Sequence, residues 1–115
     1  MRFISEKIGK TLFRNMMLIV GASIVVSIPI FLNGVPNGND MPQHFQFAQT
    51  YREGLLSGQI YPSWAGSTNY GFGDVGIRFY PPIAYYVMVG FQLLSGDWFT
   101  ASALSFWFFF FIGGV

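Results

Sequence analysis

Asp40 and His44 stand four residues apart in the stretch "GNDMPQHFQ", so a helix would place them one turn apart on one side. A carboxylate in this position can act as a general base or bind a divalent metal ion. An imidazole beside it can exchange the proton or donate to a phosphate. The simpler alternatives are that Asp40 caps a helix and that His44, the one histidine of the chain, is solvated.

Arg52 and Arg78 are the two cations that follow residue 33. A guanidinium binds phosphate through two parallel hydrogen bonds, so both are candidate substrate-binding residues. Arg52 is followed by Glu53, which favours a surface pair instead. Arg78 and Tyr80 come just before "PP", where a helix can begin, and there an arginine would meet a substrate phosphate or ordinary lipid headgroups.

Asp74 lies in "NYGFGDVG", a glycine-rich stretch without the lysine of a phosphate-binding loop. The glycines favour tight turns, so Asp74 is either a turn residue or a contact to a metal ion or a sugar hydroxyl. The chain has no cysteine, which excludes thiolate metal sites.

Composition places these residues in a membrane protein. Of the 115 residues, 52% are hydrophobic and 10% are charged, against about 25% charged in ordinary soluble domains. The net charge is +1 and lysines and arginines form no block, which speaks against nucleic acid as a partner.

The first spanning helix is predicted at residues 16–32, which carry no charge and would extend roughly 25 Å as a helix. Residues 1–15 hold four of the six cations, so the N-terminus should be cytoplasmic and the helix should exit to the outside. A cleavable signal peptide is the alternative, but no A-x-A cleavage site follows the apolar run.

Residues 33–79 are polar and form the predicted external loop, with an amphipathic helix at 41–57. Asp40 would cap this helix, Gln43 would complete a capping box, and Gly58 would end it. The helix should lie on the outer membrane face through an apolar stripe with helical period: Met41, Phe45, Ala48, Tyr51 and Leu55.

Two further spanning helices are predicted at 80–94 and 98–115, joined by a cytoplasmic turn at 95–97. The predicted fold is an all-α membrane protein with about three transmembrane helices and an interfacial helix in the first external loop. The sequence stops inside the last apolar run, which suggests either a fragment or a small subunit.

Several motifs in this order resemble the opening of GT-C type membrane glycosyltransferases: "GNDMPQHF", "GQIYPSW", "NYGFG" and "FYPPIAYY". Among such proteins the chain resembles bacterial membrane proteins labelled as related to 6-pyruvoyl-tetrahydropterin synthase, a label that need not describe their chemistry. The resemblance covers about residues 10–95.

This resemblance implies sugar transfer from a lipid-phosphate donor, usually a polyprenyl phosphate, on the non-cytoplasmic face. Such enzymes carry an acidic residue in the first outer loop for acceptor activation or metal binding, and Asp40 occupies that place. His44 matches a histidine one turn later. The enzymes have many more helices, so this chain alone should be inactive.

Two hypotheses follow. In the first, the chain is the N-terminal segment of a bacterial inner-membrane glycosyltransferase. Asp40 would then be base or ligand of Mg²⁺ or Mn²⁺, His44 its partner, and the substrate would be bound by Arg78, Tyr80 and Arg52. In the second, the chain is a small non-catalytic subunit that packs against other transmembrane subunits. Membrane lipids are partners in both, and the length of the open reading frame separates them.

Overall fold

A computed structural model describes residues 2–36 and 38–114, with side chains from residue 7 onward. Four α-helices form: α1 (Arg2–Asn33), α2 (Met41–Ser57), α3 (Pro82–Ser95) and α4 (Trp98–Gly113). Two short 3-10 turns, Asn69–Gly71 and Gly76–Arg78, lie in the connection between α2 and α3. Within the described ranges no strand forms beyond one isolated bridge between Ala65 and Asp74, so the predicted all-α fold is confirmed.

Helix α1 joins the basic N-terminal segment and the predicted span in one 32-residue helix. Within the described residues, the segment Lys7–Asn33 of α1 is the one helical stretch that is long and apolar enough to cross a membrane. Such a helix is compatible with a membrane span, a signal sequence or a core helix. Helices α3 and α4 have 14 and 16 residues. They are about 21 and 24 Å long, shorter than the roughly 30 Å hydrocarbon layer that the three-span prediction requires.

Helices α3 and α4 form a hairpin whose turn consists of Gly96 and Asp97. Gly96 adopts the left-handed conformation, φ 75°, that ends α3. The Asp97 carboxylate accepts a hydrogen bond from the Thr100 amide at 2.7 Å and begins α4. This bond lowers the pKa of Asp97, because it stabilises the charged form.

Helix α4 also packs against α1, and the two helices run antiparallel. At one end a Cβ on Gly34 would lie 3.0 Å from the ring of Phe99, and at the other a Cβ on Gly114 would lie 3.0 Å from Ile19. Small buried side chains allow the close approach, and their hydroxyls bond to their own helix: Ser23 and Ser27 in α1, Ser102 and Ser105 in α4.

The antiparallel packing brings the 95–97 turn to the C-terminal end of α1. The predicted topology has residues 95–97 on the side of the membrane opposite to the end of the first helix. If α1 and α4 both cross the membrane, that topology requires them to be parallel, and it is therefore incompatible with this packing.

Helix α2 occupies the residues predicted for the loop helix, but its buried face differs from the predicted stripe. Ala48 and Tyr51 are buried as expected, whereas Leu55 is exposed. Three positions outside the stripe are buried instead: Phe47, Thr50 and Gly54. The reason is that α2 packs on α3 and on the loop that follows, in one core with Ala65, Ile77, Tyr85, Met88 and Val89.

Candidate functional site

Asp40 is at the N-cap position of α2, but its carboxylate makes no capping hydrogen bond. Its backbone is helical, φ −101° and ψ −7°, where an N-cap residue with a bonding side chain is normally extended. The predicted capping box is also wrong, because the Gln43 amide donates to Asp74 Oδ2 at 2.8 Å instead. Capping therefore does not account for the exposed carboxylate of Asp40.

His44 faces α3 and is half-buried, so the solvated alternative is wrong for this residue. Its Nδ1 lies 2.8 Å from the hydroxyl of Tyr85, and its ring meets Tyr80 edge-on with 4.9 Å between centroids. Asp40 and His44 are linked through the main chain, where the His44 amide donates to the Asp40 carbonyl at 3.0 Å. The structure thus brings His44 to two tyrosines and forms no ion pair between His44 and Asp40.

An apolar cavity of about 370 Å³ opens between α2, α3 and α4. We call it the apolar cavity. The imidazole of His44 and the side chains of Tyr80 and Tyr85 are among its walls. The other lining residues are nearly all apolar or carry a satisfied hydroxyl: Met41, Pro81, Ala84, Met88, Ser105, Phe106 and Phe109. Its volume and apolar lining suit a hydrocarbon chain.

A second recess of about 580 Å³, the polar cleft, lies between the start of α2 and the loop at 67–74. Its lining is dominated by amides, hydroxyls and one carboxylate: Asn39, Pro42, Gln43, Gln46, Ser67, Thr68, Asn69, Tyr70 and Asp74. Asp74 is the turn residue that the sequence suggests, since its Oδ1 accepts from the Gly76 amide at 2.6 Å. Its other oxygen, bonded to Gln43, ties this loop to α2.

The three predicted substrate-binding residues lie in different surroundings. Tyr80 packs against His44 and Phe47. The Arg52 Nε donates to Gln92 Oε1 at 2.8 Å and so joins α2 to α3 rather than pairing with Glu53. Arg78 is exposed, and neither arginine lines the cavity or the cleft.

Among the lining residues that sequence reasoning missed are Tyr85, Gln46, Ser67 and Asn69. Tyr85 reads as one aromatic residue among many in an apolar run. The polar residues carry no motif, and only the turn glycines around Asn69 signal an ordered loop.

The predicted divalent cation would have to be held by few protein ligands within the described residues. In the part of the chain that the structure describes, no three His, Asp or Glu side chains come together as a metal site. Asp40 is exposed and His44 Nδ1 is taken by Tyr85. The exposed carboxylate of Asp40 is one oxygen ligand that Mg²⁺ or Mn²⁺ could share with a substrate phosphate.

The two recesses lie on opposite sides of the first turns of α2. At about 100° per residue, Met41 and His44 face one way and Gln43 and Gln46 the other. Asp40 precedes them at the N-cap position and lines neither recess. Comparisons with family models, curated proteins and solved structures find no match to this chain. Functional conclusions therefore depend on the chemistry of the two recesses.

Proposed function

We propose that this chain is the N-terminal segment of a GT-C-like membrane glycosyltransferase that uses a lipid-phosphate-linked sugar. One observation carries the proposal: a hydrocarbon-sized apolar cavity and a hydroxyl-matching polar cleft flank the first turns of α2, and Asp40, with no capping bond to its carboxylate, stands at the start of that helix. Sugar transfer from a lipid carrier needs these three elements together.

In the proposed reaction Asp40 takes the proton of an acceptor hydroxyl. The hydroxyl oxygen attacks the anomeric carbon of the donor sugar, the bond from that carbon to the phosphate oxygen breaks, and the lipid phosphate leaves with the electron pair. A positioned general base contributes typically ~10²–10⁴-fold to such a rate. Asp40 suits the role because no capping bond engages its carboxylate.

The lipid carrier is assigned to the apolar cavity, with His44 and Tyr80 contacting the segment next to the phosphate. Arg78, exposed just before α3, supplies a guanidinium that could pair with the phosphate bidentately. Arg52 holds α2 on α3 through Gln92 and is left out of the proposed site.

The proposed topology has α1 and α4 as two antiparallel spans, with the 95–97 turn outside and the N-terminus in the cytoplasm of a bacterial cell. The basic residues before the span support the orientation. Helix α3 packs along α4 and on α2, and its exposed side chains Ile83, Leu93 and Leu94 would contact lipid.

Cysteine labelling distinguishes this topology from three spans, because the chain has no native cysteine. A membrane-impermeant maleimide should label Ser95→Cys in intact cells as fully as Ser67→Cys, while Gly9→Cys should react only after permeabilisation. All three positions are exposed. Labelling of Ser95→Cys only after permeabilisation would restore the predicted cytoplasmic turn.

A non-catalytic subunit is the second candidate. It is favoured by the long exposed apolar surface of α1, which further transmembrane helices could cover: Leu12, Phe13, Leu18, Ile24, Val25 and Leu32. The two candidates separate when membranes from cells expressing the whole open reading frame are given a radiolabelled polyprenyl-phosphate sugar. Label transferred to acceptor supports the enzyme, and no transfer above empty-vector membranes supports the subunit.

A further inference from the structure

We infer that the polar cleft binds the hydroxyl groups of a neutral pyranose. This inference deepens the proposed function and rests on it for the role of the sugar as a transfer partner. The cleft is open, about 580 Å³ in volume, and therefore large enough for a sugar ring.

The lining matches the hydrogen-bonding pattern of a sugar. Each sugar hydroxyl both donates and accepts. The amides of Gln43, Gln46 and Asn69 offer both functions, and the Asp74 carboxylate accepts only. A planar amide or carboxylate can form hydrogen bonds to two neighbouring hydroxyls at once. Surface positions where such groups do not lie close together cannot do this.

The cleft is held in place before any ligand arrives. Asp74 is fixed by the Gly76 amide and by Gln43, yet a carboxylate has about four acceptor positions, so some stay open. The loop is closed at its base by the backbone pair between Ala65 and Asp74 and by the buried Thr68 hydroxyl, which donates to the Ala65 carbonyl at 2.7 Å. Pre-ordered groups reduce the entropy lost on binding.

Tyr70 projects at the rim of the cleft with its side chain fully exposed. Asn69 and Tyr70 both adopt left-handed backbone conformations, φ 52° and 59°, which asparagine tolerates but which are unfavourable for tyrosine. The strained turn keeps an aromatic ring in water, where the apolar face of a pyranose can stack on it.

The charge of the lining selects a neutral sugar. Asp74 is the one charged residue that lines the cleft, and no lysine or arginine does. A phosphate or uronate placed there would meet a carboxylate without a compensating cation. The free acceptor sugar and the sugar of the lipid-linked donor remain the two sources of such a ring.

Saturation-transfer difference NMR tests the inference on the whole chain in lauryl dimethylamine oxide micelles, which contain no sugar. The probes are the methyl pyranosides of glucose, galactose, mannose and N-acetylglucosamine. We expect at least one to receive saturation. Gln46→Ala should then weaken its binding about fivefold, the loss of one hydrogen bond.

The variants have matched controls. Gln49→Ala removes another exposed amide from the same helix outside the cleft and should leave binding unchanged. Tyr70→Phe should retain binding, whereas Tyr70→Gly, which also relieves the backbone strain, should weaken it. Glucose 1-phosphate provides a further arm: tighter binding than the methyl glucoside would assign the cleft to the donor phosphate and overturn the neutral-sugar inference.

Absence of saturation transfer to all four glycosides would overturn the inference, whatever the transfer assay shows. Equal binding by wild type, Gln46→Ala and Tyr70→Gly would do so too, because the sugar would then sit elsewhere. If the chain binds a glycoside but its full-length form transfers no sugar, the proposed function is rejected. The inference that the cleft binds a sugar then stands.

Discussion

Replacing Asp40 by asparagine is expected to lower sugar transfer by the full-length enzyme at least about 10²-fold, because an amide cannot accept the acceptor proton. Folding should be unaffected. The Asp40 carboxylate makes no capping bond, so neither asparagine nor alanine removes a stabilising contact there. Transfer from a polyprenyl-phosphate sugar and circular dichroism of the same preparation measure the two effects separately.

Asp97 provides the matched control for Asp40. It is also an N-cap aspartate, but its carboxylate does bond to the Thr100 amide. Asparagine can replace that acceptor, so Asp97→Asn should transfer sugar at the normal rate. Near-normal transfer by Asp40→Asn would reject the base, and equal losses in both variants would indicate a structural cause.

Truncating Tyr51 to alanine is expected to destabilise the protein by about 3–5 kcal/mol, the usual cost of removing a buried aromatic ring. Tyr51 is fully buried in the core between α2 and α3. Its ring stacks on Tyr85, with 5.1 Å between centroids and 15° between planes, and meets Tyr86 edge-on at 5.1 Å. Denaturant titration in micelles, followed by helical circular dichroism, measures the loss.

Tyr51→Phe should behave in the opposite way. The Tyr51 hydroxyl is buried without a hydrogen-bond partner, so phenylalanine keeps the ring and removes an unsatisfied polar group. Stability should stay equal or rise by about 1 kcal/mol. A loss of about 1 kcal/mol would show instead that the hydroxyl is bonded.

The same hydroxyl predicts a pH dependence. Burial, together with Tyr61 and Tyr86, raises the pKa of Tyr51 from 10.0 to about 12. A group whose pKa is raised in the folded state stabilises the fold fully below its unfolded pKa and loses that contribution as pH rises through the folded one. Wild type should therefore lose stability between pH 10 and about 12, and Tyr51→Phe should lose less.

The helix ends of this protein follow from local chemistry. Pro42 and Pro82 stand in the first turns of α2 and α3, where a missing amide hydrogen costs nothing. Gly58 and Gly96 adopt left-handed conformations just after those helices. Such effects act within a few residues, so the sequence by itself determined where α2 and α3 begin and end.

Only the tertiary structure decided what those helices contact. The Gln43–Asp74 and His44–Tyr85 bonds join residues 31 and 41 positions apart, and each replaces a local interaction that the sequence favours. A helical period reveals that a face is apolar but not which element will cover it. The same holds for the antiparallel packing of α1 and α4, since hydropathy gives a helix its length but no direction relative to its neighbours. The two recesses beside Asp40 arise from these long-range contacts, because neither has all its walls in one segment of the chain.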